Sequence, residues 1–330
     1  MNNKPELLVA PKNITELELL AEAGASAFVV GDARFALVVR GFFEGKALEE
    51  AVNLAHSLEK KIYLLVDAIY PNALLVELAT YLHAVKHLPF DAIRVADLGA
   101  YLLIKQIMPT MPIQFVDAMM LTNHYTVNYW ASKGMARARL AHELTLDEVL
   151  EIKKTAIPEI EILIQGAPLM FTSRRKLVDN YLDFQRTKGA LHTLCKNVTI
   201  AKDGNFLFDE ERDLYYPITQ NEHGTHIFGG NDVCMVDALG ELLAAGIDVL
   251  YIEGFAYQNS TSGSSTCGTE ELIKIVQLYK VAIDLATVEP EKYTKVGMAL
   301  YAEVEKLQSK LRRTDRGFYY KPTIYKNQSR

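Results

Sequence analysis

No run of this sequence approaches the ~18 uninterrupted apolar residues of a membrane helix. Its start, Met1-Asn2-Asn3-Lys4-Pro5-Glu6, lacks the apolar core of a secretion signal. These absences set the expectation of a cytoplasmic protein with no membrane partner. Cysteine is scarce: Cys195, Cys234 and Cys267 are odd in number and too sparse for a disulfide framework, so they read as buried thiols. Low-complexity tracts are missing as well. With 49% hydrophobic and 23% charged residues, disorder is excluded, and 330 residues suffice for a sizeable core in one large domain or two ordinary ones.

Several catalytic signatures are also missing. The first strand is followed by Pro11-Lys12-Asn13-Ile14 where a dinucleotide site needs its GxGxxG turn. His83 and His87 stand four apart, but Ala84 occupies the position of the general-base Glu in HExxH, and no metal site is expected. Ser262-Gly263-Ser264-Ser265-Thr266-Cys267 approaches GxSxG and ends in the wrong residue. Lying before Thr269-Glu270-Glu271, that loop could cradle an anion at a helix start, though a plain flexible loop is the stronger reading.

What is present is an alternation of short apolar runs with segments of helical period. The runs are Glu6 to Ala10, Ala27 to Val30, Ile62 to Val66, Ala92 to Val95, Ile113 to Val116, Ala138 to Ala141, Ile160 to Ile164 and Val249 to Ile252. Between them lie helical segments such as Thr15 to Ala23, Ala47 to Leu58, Leu74 to His87, Leu98 to Ile107, Asn123 to Lys133 and Thr145 to Lys154. Eight such units predict an α/β fold, a TIM-like (β/α)8 barrel. The spacing breaks once, and from Val198 to Ile227 the chain turns β-rich, with Asp203-Gly204-Asn205 and His223-Gly224-Thr225 as turn signals. The expected organisation is barrel strands one to seven over 1–190, an inserted β-hairpin lobe over 191–230, barrel completion over 231–287 and a C-terminal basic extension over 288–330.

Barrel enzymes mount their chemistry on the loops at the C-terminal ends of the strands. The polar residues there are Asp32 and Arg34, Asp67 and Asn72, Asp97, Asp117 and Asn123, His142 and Glu143, Gln165 and Gly166, and Glu253 and Gly254. Any single carboxylate among them is more readily a helix cap, whereas the ring as a whole points to function. From Tyr301 onward eight basic residues stand against three acidic ones in a chain of net charge −6. Arg312, Arg313, Arg316 and Lys321, with Tyr301, Phe318, Tyr319, Tyr320 and Tyr325 beside them, are candidates for RNA binding. A solvated helix followed by a docked strand is the alternative, and charge alone favours it.

At the seventh strand the residues become specific. Glu161-Ile162-Leu163-Ile164-Gln165-Gly166-Ala167-Pro168-Leu169-Met170-Phe171-Thr172-Ser173-Arg174-Arg175-Lys176-Leu177 resembles the signature of the collagenase-like peptidase family U32. Leu7-Leu8-Val9-Ala10-Pro11 with Ala21-Glu22-Ala23-Gly24-Ala25 is similar to that family's opening, Leu140-Ala141-His142-Glu143-Leu144 to its sixth strand, Asn231-Asp232-Val233-Cys234 and Tyr251-Ile252-Glu253-Gly254 to its late motifs, and Arg316-Gly317-Phe318 to its close. The run Met170 to Tyr181 is most similar to a shorter bacterial branch implicated in prephenate-dependent hydroxylation of tRNA wobble uridine.

The resemblance implies a barrel protein of tRNA modification, acting beside a longer family paralogue, with prephenate as co-substrate. In that reading Arg34 is a candidate carboxylate clamp, because a guanidinium fork matches a carboxylate. Asp117, Glu143 and Glu253 are the candidates to position or exchange protons, and Asp67, Asn123, His142, Gln165 and Gly166 complete the substrate site. Some members of the family hold an iron–sulfur cluster on four cysteines. Here Leu169 and Lys176 stand at two of those positions, with Cys195 and Cys234 at the others, so no such cluster and no other cofactor is expected. Two other classes stay open: a peptidase, as the family's name suggests, and a non-catalytic subunit that binds RNA or a partner.

Overall fold

In the computed structural model, which describes residues 4–116, 120–187, 198–201, 204–254, 268–308 and 312–321, the alternation read from the sequence closes into a barrel. The chain runs β1 (Glu6–Val9), α1 (Ile14–Ala23), β2 (Ala27–Gly31), α2 (Lys46–Ser57), β3 (Lys61–Val66), α3 (Asn72–Val85), β4 (Ala92–Val95), α4 (Leu98–Ile107), β5 (Ile113–Phe115), α5 (His124–Ser132), β6 (Met135–Arg139), α6 (Leu146–Thr155) and β7 (Glu159–Gly166). Each strand pairs in parallel with the next. Local chemistry starts the helices: Asn13, Asp97 and Asn123 cap α1, α4 and α5 with their side-chain oxygens, and Thr145 with Glu148 forms a capping box on α6.

After β7 the chain leaves the barrel. β8 (Leu169–Ser173) leads into α7 (Leu177–Thr187), β9 (Val198–Ala201), β10 (Gly204–Asp209), β11 (Leu214–Asn221) and β12 (Gly224–Phe228). These strands form an antiparallel sheet in the order β8-β12-β11-β10-β9. The lobe thus has more strands than a hairpin and begins before residue 191, because β8 is its edge strand. β13 (Asn231–Cys234) then returns antiparallel to β7, and α8 (Leu239–Ala244) carries the chain to β14 (Val249–Ile252). β14 pairs in parallel with both β7 and β1, which closes the barrel. Two helices follow, α9 (Thr269–Val288) and α10 (Pro290–Lys306), with Pro290 opening the second where its missing N–H costs nothing. A last strand, β15 (Arg313–Asp315), docks in parallel on β13.

The sixth strand sits at Met135–Arg139, earlier than the apolar run Ala138 to Ala141 suggests. The reason lies inside the barrel. Arg137 is buried there, beside Arg94, Gln114 and Glu161, so the sixth strand carries a charge at an inward position and a search for apolar runs starts after it. The apolar core lies mainly between the barrel's outer face and its helices, where Leu17, Leu48, Leu82, Ile104 and Val149 pack down on the strands.

Candidate active site at the barrel mouth

The barrel interior is a stack of ion pairs. Near the N-terminal ends of the strands, Arg137 donates to Glu6 Oε1 at 2.8 Å and to Glu159 Oε2 at 2.8 Å, and the Tyr63 hydroxyl donates to Glu6 at 2.8 Å. One layer up, the Arg94 guanidinium holds Glu161 bidentately at 2.8 and 2.6 Å and reaches Gln114 Oε1 at 3.0 Å. Burial alone pushes the Glu161 carboxyl up, but Arg94, Arg139 and Arg137 together hold it below the ordinary carboxylate range. Glu161 is therefore a fixed anion in the middle of the barrel.

Above this layer, at the C-terminal ends of the strands, the stack opens. The Arg139 guanidinium lies over the Tyr251 ring at 4.2 Å, and the Tyr251 hydroxyl donates to Glu253 Oε2 at 2.9 Å. Burial raises the Tyr251 phenol well above its ordinary value, so it stays protonated and available as a donor. Asp67 faces the same space. Its Oδ1 accepts from the Leu37 N–H at 2.8 Å, and burial pushes its carboxyl up to about 6 while that N–H draws it back in part. A carboxyl that titrates this close to neutrality can both take and return a proton.

Two joined chambers result. The inner one, about 80 Å³, is lined by Asp67, Arg94, Arg139, Tyr251 and Glu253. The outer one, about 270 Å³, is lined by Asp97, His142, Glu143, Met170, Phe171 and Thr172, and the two share Leu37, Asp67, Ala96 and Leu169 as walls. A larger cleft of about 470 Å³, bordered by Asp237, Glu241 and Tyr293, shares no residue with either chamber. Convergent polar groups rather than volume identify the mouth as the candidate site.

The residues expected at the site divide accordingly. Asp67 and Glu253 lie on the inner chamber, His142 and Glu143 on the outer. Gln165 is fully buried beside the mouth, where its Oε1 accepts from the Tyr279 hydroxyl at 3.0 Å. Gly166 has a packing role: its φ is +102°, and a Cβ there would stand 2.3 Å from the Glu253 carbonyl oxygen. Asn123 is the cap of α5, its Oδ1 accepting from the Thr126 N–H at 2.9 Å, and it is on neither chamber wall. Asp117 lies outside the described residues.

Arg34 is not a free clamp. Its Nε and Nη2 hold the buried Asp32 carboxylate at 2.9 and 2.7 Å, its guanidinium lies 5.0 Å from the Phe35 ring, and it borders a separate cleft with Arg174, Glu222 and His223. Tail residues named for RNA are likewise engaged. Arg312 is buried against Asp232; Arg313 meets Asp213 at 2.8 Å; Arg316 meets Asp237 and lies 4.3 Å from the Tyr301 ring; Lys321 meets Asp315 at 2.6 Å. The docked-strand alternative describes this segment. Arg94, Arg139 and Tyr251, on the other hand, line the inner chamber from within strand runs, where the sequence reading assigns them no role. The signal was there, an Arg inside the four-residue run Ala92 to Val95, where a strand covered on both faces has no ordinary place for a cation.

Residues 12–329 match the family described as peptidase family U32. The chain is 37% identical to tRNA hydroxylation protein P2 of Bacillus subtilis, over 98% of this chain and 99% of that one. It is 28% identical to tRNA hydroxylation protein P of Escherichia coli, over 85% of this chain and 68% of that protein. An uncharacterised protease of Methanocaldococcus jannaschii is 26% identical, over 96% of this chain and 73% of its own. A solved U32 peptidase covers 75% of this chain and 92% of its own at 13% identity, with a TM-score of 0.46.

Proposed function

Because the chain belongs to peptidase family U32 over nearly its whole length, we propose that it takes part in the hydroxylation of tRNA, with the barrel mouth as the site that holds a small co-substrate. The observation that carries this reading is the 37% identity, end to end, with a relative named tRNA hydroxylation protein P2. The target is the wobble uridine, and the co-substrate is a small carboxylic acid such as prephenate. Arg94 and Arg139 supply the cationic wall of the inner chamber, the Tyr251 hydroxyl orients the Glu253 carboxylate, and Asp67 exchanges a proton near neutral pH. Glu143 and His142 border the outer chamber, where the larger substrate enters.

An iron–sulfur cluster does not fit this chain. Three cysteines cannot supply four thiolates. Cys234 is buried beside the Tyr279 hydroxyl, and burial pushes its thiol up to about 11, away from the thiolate a ligand needs. Leu169, which the resemblance sets at one of the family's cysteine positions, is an apolar wall of both chambers. A longer family member is the proposed partner; Bacillus subtilis has both a P2 and a P1 protein, and 294 aligned residues cover 89% of this chain but 66% of P1.

The test is mass spectrometry of tRNA nucleosides from a strain lacking this gene and its longer paralogue. Supplying the intact chain together with the paralogue restores hydroxyuridine, and an Asp67→Ala, Glu253→Ala variant that melts like the parent does not do so beside the same paralogue. Hydroxyuridine unchanged in the double deletion would overturn the proposal. Hydrolysis of a peptide library by the purified chain, lost on Glu143→Gln, would then favour the activity in the family's name.

A further inference from the structure

Among the described residues of the basic segment, Arg312, Arg313, Arg316 and Lys321 each meet a carboxylate of the same chain, so these four are already engaged. Unneutralised cations stand elsewhere. Arg174, Arg175 and Lys176, consecutive in the turn between β8 and α7, are all exposed and have no carboxylate partner among the described residues. Their backbone is held firmly. The Leu177 N–H donates to Thr225 Oγ1 at 2.9 Å, and that buried hydroxyl donates to the Arg175 carbonyl at 2.8 Å. Gly224 at φ +120° lets the β11–β12 turn pass beneath; a Cβ there would stand 1.9 Å from the Ser173 carbonyl oxygen. With the turn's backbone held at Arg175 and Leu177, the three cations are presented side by side, and what they lose on meeting phosphates is side-chain rather than backbone freedom.

The same strand leads into the mouth. Opposite β12, Leu169 pairs with Phe228 and Phe171 with Ile227, so Met170 is an extra residue, a bulge. The bulge allows four consecutive residues, Leu169 to Thr172, to line the outer chamber, which the strict alternation of a strand would forbid. Met170 is 54% and Phe171 47% exposed, an apolar rim with an aromatic face beside a chamber of about 270 Å³. That volume is at the small end of ligand pockets and suits a single ring.

We infer that single-stranded RNA docks along β8 and the turn after it, with Arg174, Arg175 and Lys176 on the phosphates and one unstacked base entering the outer chamber against Phe171. Enzymes that act on a base take it out of its stack, and an aromatic side chain replaces the lost neighbour. This deepens the tRNA reading and rests on it: the RNA is an anticodon loop and the base is its first anticodon position. Asp67 and Glu143 then meet the hydrogen-bonding edge of the ring from the chamber wall.

The experiment measures fluorescence anisotropy of a labelled anticodon stem-loop RNA with uridine at that position, titrated with the purified full chain. Arg174→Glu, Arg175→Glu, Lys176→Glu in combination raises Kd by about ten-fold or more at low salt and lowers the slope of log Kd against log salt by about two, as three lost single-strand phosphate contacts require. Phe171→Ala removes the preference for the intact loop over one abasic at that position, about ten-fold, and Phe171→Tyr keeps it. Arg313→Glu with Lys321→Glu changes Kd less than about two-fold. Matching thermal midpoints show that each variant is folded.

Parent-like affinity in the turn variants, loss of affinity in the tail variants instead, or no binding by the parent overturns the inference. The nucleoside assay separates its failure from that of the tRNA reading. Hydroxyuridine lost on deletion but fully restored by the turn variants sinks the docking surface alone. Hydroxyuridine unaffected by deletion, with loop affinity still dependent on the turn, sinks the tRNA reading alone.

Discussion

At the scale of single residues, Asp67 shows how a side chain at a strand's end becomes a candidate for chemistry. It follows β3 directly, where a carboxylate commonly caps the next helix, but α3 begins only at Asn72 with Pro71 before it. Asp67 instead turns into the mouth, where burial raises its carboxyl to about 6. A carboxyl whose folded value exceeds its unfolded one binds its proton more tightly in the native state. Its cost to stability is therefore absent below the unfolded value and fully present above the folded one. Asp67→Asn, which keeps the acceptor for the Leu37 N–H, should be more stable than the parent above about pH 6, by up to ~3 kcal/mol, with the gap closing toward pH 4. Urea unfolding at both ends of that window checks it, and a gap independent of pH would show that Asp67 is not desolvated.

At the scale of elements, β15 explains why a basic segment need not be a binding segment. It adds to the barrel sheet through β13, and Arg312 just before it reaches the buried carboxylate of Asp232. Arg316 just after it donates to the Cys234 carbonyl at 2.6 Å as well as to Asp237. The cations thus fasten the strand from both ends. Removing one partner of a buried pair leaves an uncompensated charge, so Arg312→Ala should cost about 3–5 kcal/mol in urea unfolding. Changing Asp232 to Ala as well should recover part of that loss. An Arg312 that served only RNA would leave the unfolding midpoint where it was.

At the scale of the whole molecule, the loop between β2 and α2 ties the lobe to the barrel. Leu37, between β2 and α2, gives its N–H to Asp67 at 2.8 Å and its carbonyl to Asn221 Nδ2 at 2.7 Å. His223 Nε2 lies 2.7 Å from the Ala33 carbonyl oxygen of the same loop. β11, two strands from the one that carries the apolar rim, and the residue that holds Asp67 are thus joined across the boundary between the two sheets. Asn221→Ala should speed hydrogen exchange of the β11 and β12 amides by about ten-fold while the barrel strands keep the parent's rates. It should also reduce hydroxyuridine in the rescue assay. Equal acceleration in the barrel strands would show that lobe and barrel open as a single unit.

The barrel was legible in the sequence because the strand faces turned to the helices are apolar and only scattered inward positions carry Arg94, Gln114, Arg137 or Glu161, and α4, found at Leu98–Ile107, matches its predicted span. Asp67, His142, Glu143 and Glu253 could be placed at the mouth because the β-α-β alternation sets strand direction: Asp67 and Glu253 directly follow β3 and β14, and His142 and Glu143 stand in the loop after β6. Composition could show that the tail is basic, but not that Asp232, Asp213 and Asp237 stand opposite Arg312, Arg313 and Arg316, since those pairs join residues far apart in sequence that meet where β15 docks on β13. Nor could it show that Arg94 and Arg139 line the inner chamber, or that Arg174 to Lys176 have no carboxylate partner among the described residues. Apolar periodicity is a local property of the chain and survives in one dimension. Whether a charge is spent on a neighbour or left for a ligand depends on contacts across the fold, and only the tertiary structure decides it.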